Sequence, residues 1–101
     1  GLYRLRLYSW EDDGSSSFLP DGTWVPMTDT PHSIRFSWRA SFLGGGSNGR
    51  AELWVDGVSQ GELTGLANSA VRIDSCRLGA TAGVDPTTSG TLFLDDYRSF
   101  R

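Results

Sequence analysis

The sequence contains no lysine, one cysteine and one histidine, and these shortages exclude several kinds of site. All nine basic residues are arginine, so no lysine nucleophile is available. A single cysteine cannot form an internal disulfide, and we expect Cys76 to be a small buried residue in a strand. No apolar run is long enough to span a bilayer, so we expect no membrane-embedded segment.

Charge and composition narrow the class of protein further. The formal net charge is −3, which argues against nucleic acid or an anionic membrane as the partner. A length of 101 residues predicts one domain, covering 1–101. The thirteen glycines and four prolines favour many turns over long helices. A small globular domain rich in strands and turns is the expected class.

Alternation of apolar and polar residues is the main signal along the chain, and it predicts strands. It is clearest in 32–40, where Ile34, Phe36 and Trp38 alternate with polar residues. Between 50 and 63, the Asp56-Gly57 pair predicts a two-residue hairpin turn, because both turn positions need positive φ. We predict about seven strands: 2–10, 22–27, 32–40, the two hairpin arms, 71–79 and 90–100.

Three finer expectations concern the second half of the chain. The apolar positions of 71–79 change phase near Asp74 and Ser75, which predicts a β-bulge. The last strand has apolar residues on both faces, which predicts a central, covered strand. Residues 63–69 are expected to form a loop with at most one helical turn. Together the patterns predict an all-β protein, a sandwich or a barrel.

The second half of the sequence resembles the concanavalin A-like lectin/glucanase superfamily, and within it the laminin G-like jelly-roll domains of bacterial surface proteins. The order HSIRFSWRAS, GRAELWVDGVSQGELTGLANS, VRIDSCRLGA and TSGTLFLDDYRSF carries the likeness, over residues 31 to 101. The resemblance implies an antiparallel β-sandwich of jelly-roll type, an extracellular or cell-surface location, and binding of glycans or proteins, often near calcium. Complete domains of this kind are longer, so it also implies the C-terminal part of a longer domain.

Two pairs of adjacent acidic residues are candidate calcium ligands, because calcium takes six to eight oxygen ligands. Asp12 and Asp13 lie in a polar loop, where solvation alone also explains them. One of Asp95 and Asp96 is expected to point inward, since neighbours in a strand face opposite sides. A buried carboxylate needs a cation or hydrogen bonds. The partner is either calcium or an arginine such as Arg77 or Arg98.

Four aromatic residues are placed unusually for a core: Tyr8, Trp10, Trp24 and Trp54. Trp54 shares a strand face with Glu52, and Tyr8 and Trp10 share one with arginines. Exposed aromatics beside charged groups suit the faces of sugar rings, and they also suit protein interfaces, where Trp, Tyr and Arg are enriched. Burial of these four aromatic side chains beneath a second sheet would explain their positions equally well.

No catalytic pattern is present in the sequence. Glucan-cleaving relatives carry closely spaced carboxylates, in an E-x-D-x-x-E arrangement that is missing here. Hydrolysis of this kind needs two carboxyl groups about 5–10 Å apart. His32 has no nucleophile-elbow motif near it and is expected to begin a strand. Together with the resemblance, this leads us to expect a non-catalytic adhesion or assembly module that acts on itself or another protein chain; a carbohydrate-binding module is the alternative.

Overall fold

The computed structural model describes residues 3–42, 46–73, 85–87 and 89–100, and in these ranges the chain is all-β, without a helix. The strands are β1 (Tyr3–Leu5), β2 (Leu7–Trp10), β3 (Ser16–Leu19), β4 (Val25–Met27), β5 (Ile34–Arg39), β6 (Gly49–Val55) and β7 (Val58–Leu66). They form three small antiparallel sheets. β1 pairs with β4, β2 pairs with β3, and β5, β6 and β7 form one three-stranded sheet in that order.

The predicted strand 2–10 is divided between two sheets. Arg6 belongs to neither strand, and β1 and β2 pair with different partners on either side of it. Leu5 and Leu7 nevertheless pack against the core and Ser9 is buried, whereas Tyr3 is 57% exposed. The alternation predicted a strand over 2–10 and gave no sign of the break.

The hairpin predicted at Asp56-Gly57 is confirmed. Asp56 has φ of 51° and Gly57 has φ of 79°, as a two-residue turn of this type needs. The ladder between β6 and β7 continues until Gly49 pairs with Leu66. The expectation of a loop or helical turn from residue 63 is therefore wrong over 63–66, because register shifts along the ladder let β7 keep its pairing.

The core lies on one face of the three-stranded sheet. Leu53 and Val55 of β6 pack there against Leu19 of β3 and Val25 of β4. Since β3 and β4 belong to different small sheets, the core joins all three sheets into one body. The partly buried residues around this cluster are Leu5, Leu7, Met27 and Leu63.

A buried polar contact closes the end of the three-stranded sheet. Asn68 is fully buried; its Oδ1 accepts from the Ser41 N–H at 2.7 Å, and its Nδ2 donates to the Arg39 carbonyl at 3.3 Å. A Cβ on Gly49 would overlap with that Oδ1. Only glycine lets β6 pass this close to the Asn68 amide.

The last two predicted strands are not found where the structure describes them. Residues 71–73 and 89–100 lie in no strand, and every residue from 89 to 100 is exposed. The prediction of a central, covered strand at 90–100 is therefore wrong. A strand needs a neighbour for its backbone hydrogen bonds, and none of the seven strands pairs with this segment. Cys76 and the predicted bulge at Asp74 and Ser75 lie outside the described residues.

Candidate binding surface

An open groove of about 400 Å³ lies between β2 and β5. β2 supplies one wall, β5 supplies the other, and residues 71–73 close one side. The groove is lined by Leu7, Tyr8, Ser9, Trp10, Phe36, Trp38, Ala51, Val71, Arg72 and Ile73. Most of these side chains are apolar or aromatic, and Arg72 and Ser9 are the polar exceptions. Such a lining suits a ligand or a partner with an apolar face.

The β5 wall is the uncovered part of the sheet's apolar face. Ile34 and Phe36 stand opposite Val55 and Leu53 of β6, so they share the core-facing side. Ile34 is nevertheless 48% exposed and Phe36 is 55% exposed. In the described chain β5 has a strand neighbour, β6, on one side only. It presents both an open backbone edge and half-exposed apolar side chains.

Ser9 adds a polar group to the floor of the groove. The residue is 3% exposed, and its hydroxyl has no hydrogen-bond partner among the described residues. A buried hydroxyl without a partner costs free energy, of the order of 1–3 kcal/mol.

Beside the groove, Arg6 is surrounded by three aromatic rings. Its guanidinium lies 3.8 Å from the Trp24 ring centroid and 4.5 Å from those of Tyr8 and Phe18. These distances are typical of cation–π contacts. Arg6 also donates to the Tyr8 hydroxyl. We call this group the Arg6 cluster; it fixes the Tyr8 ring, which lines the groove.

The four aromatic residues singled out in the sequence do not form one site. Tyr8 and Trp10 line the groove, whereas Trp24 belongs to the Arg6 cluster. Trp54 lies on the other face of the three-stranded sheet, where Arg35 stacks at 4.6 Å from its ring centroid. Phe36 and Trp38 also line the groove, although their alternation predicted only a strand and one shared face, because alternation does not show what covers that face.

Asp12 is engaged in holding two distant parts of the chain together. Its Oδ1 accepts from the Ala70 N–H at 2.8 Å and its Oδ2 from the Ser69 hydroxyl at 2.9 Å. Desolvation, the largest single influence, raises the pKa of Asp12, but the hydrogen bonds from Ala70 and Ser69 outweigh it and lower the pKa overall. Asp12 therefore has a structural role, which the loop position did not reveal.

The other three candidate calcium ligands, Asp13, Asp95 and Asp96, are all exposed. Asp13 accepts from the hydroxyl and the N–H of Ser15, and these bonds lower its pKa. Asp95 and Asp96 are both exposed, so the expectation that one points inward is wrong; the segment forms no strand that would bury it. Asp96 does pair with Arg98, at 3.1 Å on the surface. Among the described residues, no three acidic, histidine or cysteine side chains gather as metal ligands.

His32 connects the hairpin turn to the chain before β5. Its Nδ1 lies 2.7 Å from Asp56 Oδ2, and its Nε2 lies 3.2 Å from the Thr28 carbonyl and 3.0 Å from the Thr28 hydroxyl. The hydrogen bond to Asp56, above all, raises the pKa of His32, and the same bond lowers the pKa of Asp56. The two residues are 24 positions apart, and nothing in the sequence signalled the contact.

This acid–imidazole–hydroxyl order resembles a hydrolase triad, but the Nε2 that would serve as the base also lies 3.2 Å from the Thr28 carbonyl oxygen. A general base needs a free lone pair on the imidazole nitrogen that faces the hydroxyl. Here Nε2 faces the Thr28 carbonyl as well as the Thr28 hydroxyl, and while it donates to that carbonyl it has no free lone pair for the hydroxyl proton. His32 is positioned as a structural clamp.

Comparisons with known proteins provide no relative for this chain: no family model matches it, nor does any curated protein or solved structure. In the part of the chain that the structure describes, no helix is long and apolar enough to cross a membrane.

Proposed function

We propose that this chain is a non-catalytic adhesion or assembly module of an extracellular or cell-surface protein. The observation that carries the proposal is the state of β5, which has no strand neighbour on its outer side in the described chain and carries half-exposed Ile34 and Phe36. Unpaired edges accept strands from other chains, and strand addition is a common mode of protein recognition. The surroundings of His32 argue against a hydrolase, since its imidazole is committed to structural hydrogen bonds.

The proposed architecture is a β-sandwich of the concanavalin A-like, laminin G-like jelly-roll type. Its support is the sequence resemblance over residues 31 to 101, together with the all-β chain and a core that draws on all three sheets. The proposed location follows from the same resemblance.

Light scattering across micromolar concentrations tests the proposal. We expect a mass above the 11.0 kDa of the single chain, rising with concentration. Phe36→Ser should reduce this association, since it removes an apolar contact from the open face. Val58→Ser is the matched control, because Val58 is also exposed but lies in the hairpin on another strand. A single 11.0 kDa species at all concentrations would contradict self-association.

Carbohydrate binding is the second candidate, and the groove is the observation that favours it. Tyr8 and Trp10 offer ring faces for stacking, and Arg72 in the same lining can donate hydrogen bonds to sugar hydroxyls. A glycan array with the wild type, Trp10→Ala and Trp54→Ala separates this function from the first. Binding lost in Trp10→Ala and kept in Trp54→Ala would support a sugar site in the groove. An array without any bound glycan would contradict it.

A further inference from the structure

The segment 89–100 has the properties of a strand without a neighbouring strand in the described chain. It exposes Leu92, Phe93, Leu94, Tyr97 and Phe100, with Phe93 89% exposed. Its sequence has the composition of a strand, yet none of its residues is in one. At Asp96 the backbone turns to φ of 51°, which ends an extended run. The part suited to pairing is therefore 91–95.

β5 has the complementary properties. Its outer edge is unpaired in the described chain, and one face of the strand carries Phe36 and Trp38. The other face carries Arg35 and Arg39, both exposed. An incoming strand should therefore bring apolar groups to the first face and a carboxylate to the second.

We propose that residues 91–95 of one copy of this chain pair antiparallel with β5 of a second copy. The proposal rests on the proposed assembly function and names the contact that produces it. One register meets both requirements: Leu94 opposite Phe36, Leu92 opposite Trp38, and Asp95 opposite Arg35. If the incoming strand is shifted by two residues along β5, so that Leu92 lies opposite Phe36, then Phe93 lies opposite Arg35. The Arg35–Asp95 charge pair is then lost.

The charge pair selects this register for a physical reason. Directly opposed side chains in an antiparallel pair lie close enough to interact, and opposite charges there stabilise the pairing. Arg35 is held by stacking on Trp54, so its guanidinium is already ordered on the correct face. Asp95 is acidic and exposed, and it lies one position before the turn at Asp96.

A second copy is the favoured occupant because the chain keeps its own segment elsewhere. No residue of 89–100 lines the groove, and a Cβ on Gly90 would lie 3.3 Å from the Tyr3 hydroxyl in β1. Reciprocal pairing of two copies gives a two-fold dimer that contains the Arg35–Asp95 contact twice.

Mixing two charge-reversed variants tests the proposal. Arg35→Asp and Asp95→Arg each create like charges at both contacts of a homodimer. Each alone should weaken the dimer Kd about tenfold, because opposed like charges are unfavourable and occur twice. An equimolar mixture should recover association close to the wild-type level. In the mixed dimer, one contact joins the two introduced charges, which are opposite in sign, and the other is the original Arg35–Asp95 pair.

The measurement is sedimentation velocity over a concentration series, with circular dichroism to confirm that each variant is folded. Asp21→Arg is the control, since it makes the same charge change in the turn between β3 and β4 and should leave the Kd unchanged. Recovery in the mixture supports pairing between copies. If the wild type associates but the mixture shows no recovery, this contact is wrong while the assembly function stands. If the wild type is monomeric throughout, both proposals are wrong.

Discussion

Two neighbouring strands of the three-stranded sheet carry the same alternating pattern, yet only one of them is covered. On β6, Ala51, Leu53 and Val55 are buried, and the last two lie beneath side chains from the small sheets. On β5, Ile34 and Phe36 share that face and remain half exposed. The difference teaches that alternation determines which face a residue occupies, whereas burial depends on what packs against that face.

The largest expected effect on stability comes from truncating one apolar side chain on each of these two strands. Leu53→Ala removes a side chain that is 2% exposed at the centre of the core, and it should lower the free energy of unfolding by about 2–5 kcal/mol. Phe36→Ala should cost less than about 1 kcal/mol, because most of its ring already contacts solvent. Urea denaturation of dilute protein measures both. Equal losses would show that β5 is covered in solution.

Gly49→Ala tests the closed end of the sheet, where the Asn68 amide allows no side chain. The added methyl would displace Asn68 and disturb its hydrogen bonds, with an expected cost of about 2 kcal/mol. Gly57→Asn is the control, because a side chain there meets open space and asparagine tolerates the positive φ of 79°. If the two variants were equally stable in urea, the close approach at Asn68 would be wrong.

The contact between His32 and Asp56, at the start of β5, should make the free energy of unfolding depend on pH. The folded pKa of His32 lies above its ordinary 6.5, so its contribution is complete below that pH and is lost as pH rises through the folded pKa. The folded pKa of Asp56 lies below 3.8, so its contribution is present above that pH and is lost in stronger acid.

Thermal unfolding of the wild type and His32→Gln measures this effect. The melting temperatures should differ most between pH 3.8 and 6.5, the interval bounded by the two ordinary pKa values, and should converge as the solution becomes alkaline. Glutamine cannot titrate, so the variant provides the reference. Two parallel curves across the whole range would contradict a charged His32–Asp56 contact.

The smallest expected effect concerns the polar face of the same sheet. Glu52 and Glu62 stand opposite each other, and Arg50 bonds to Glu62 at 2.6 Å through Nε. Arg50→Gln should cost about 0.2–1 kcal/mol, since the ion pair is largely solvated. The cost should shrink further at high salt, which screens exposed charges. A loss above that range would mean that this face is covered too.

The sequence predicted the features that local chemistry determines. The Asp56-Gly57 turn and the strand at β5 follow from φ requirements and period-two alternation. The break at Arg6 could not be predicted, because the alternation of 2–10 carries no sign that β1 and β2 pair with different partners.

The sequence did not predict which strands lie next to each other around the groove. The groove exists because β2 comes to lie beside β5, a relationship between distant residues that no local pattern encodes. The same applies to 90–100, where strand-forming residues predicted a covered strand. A strand's exposure and pairing depend on its neighbours, and none of the strands in the described chain pairs with this segment.

The loop between β2 and β3 provides two natural reporters for the docking of the sheets. The Ala67 amide donates to Glu11 Oε2 at 2.9 Å, and the Ala70 amide donates to Asp12 Oδ1 at 2.8 Å. Both acceptors lie far earlier in the chain, so neither amide gains its bond from its own hairpin. In hydrogen exchange, these amides should lose protection whenever the small β2–β3 sheet separates from the end of β7, while amides inside the β6–β7 ladder stay protected. The molecule thus carries its own probe of partial opening, independent of global unfolding.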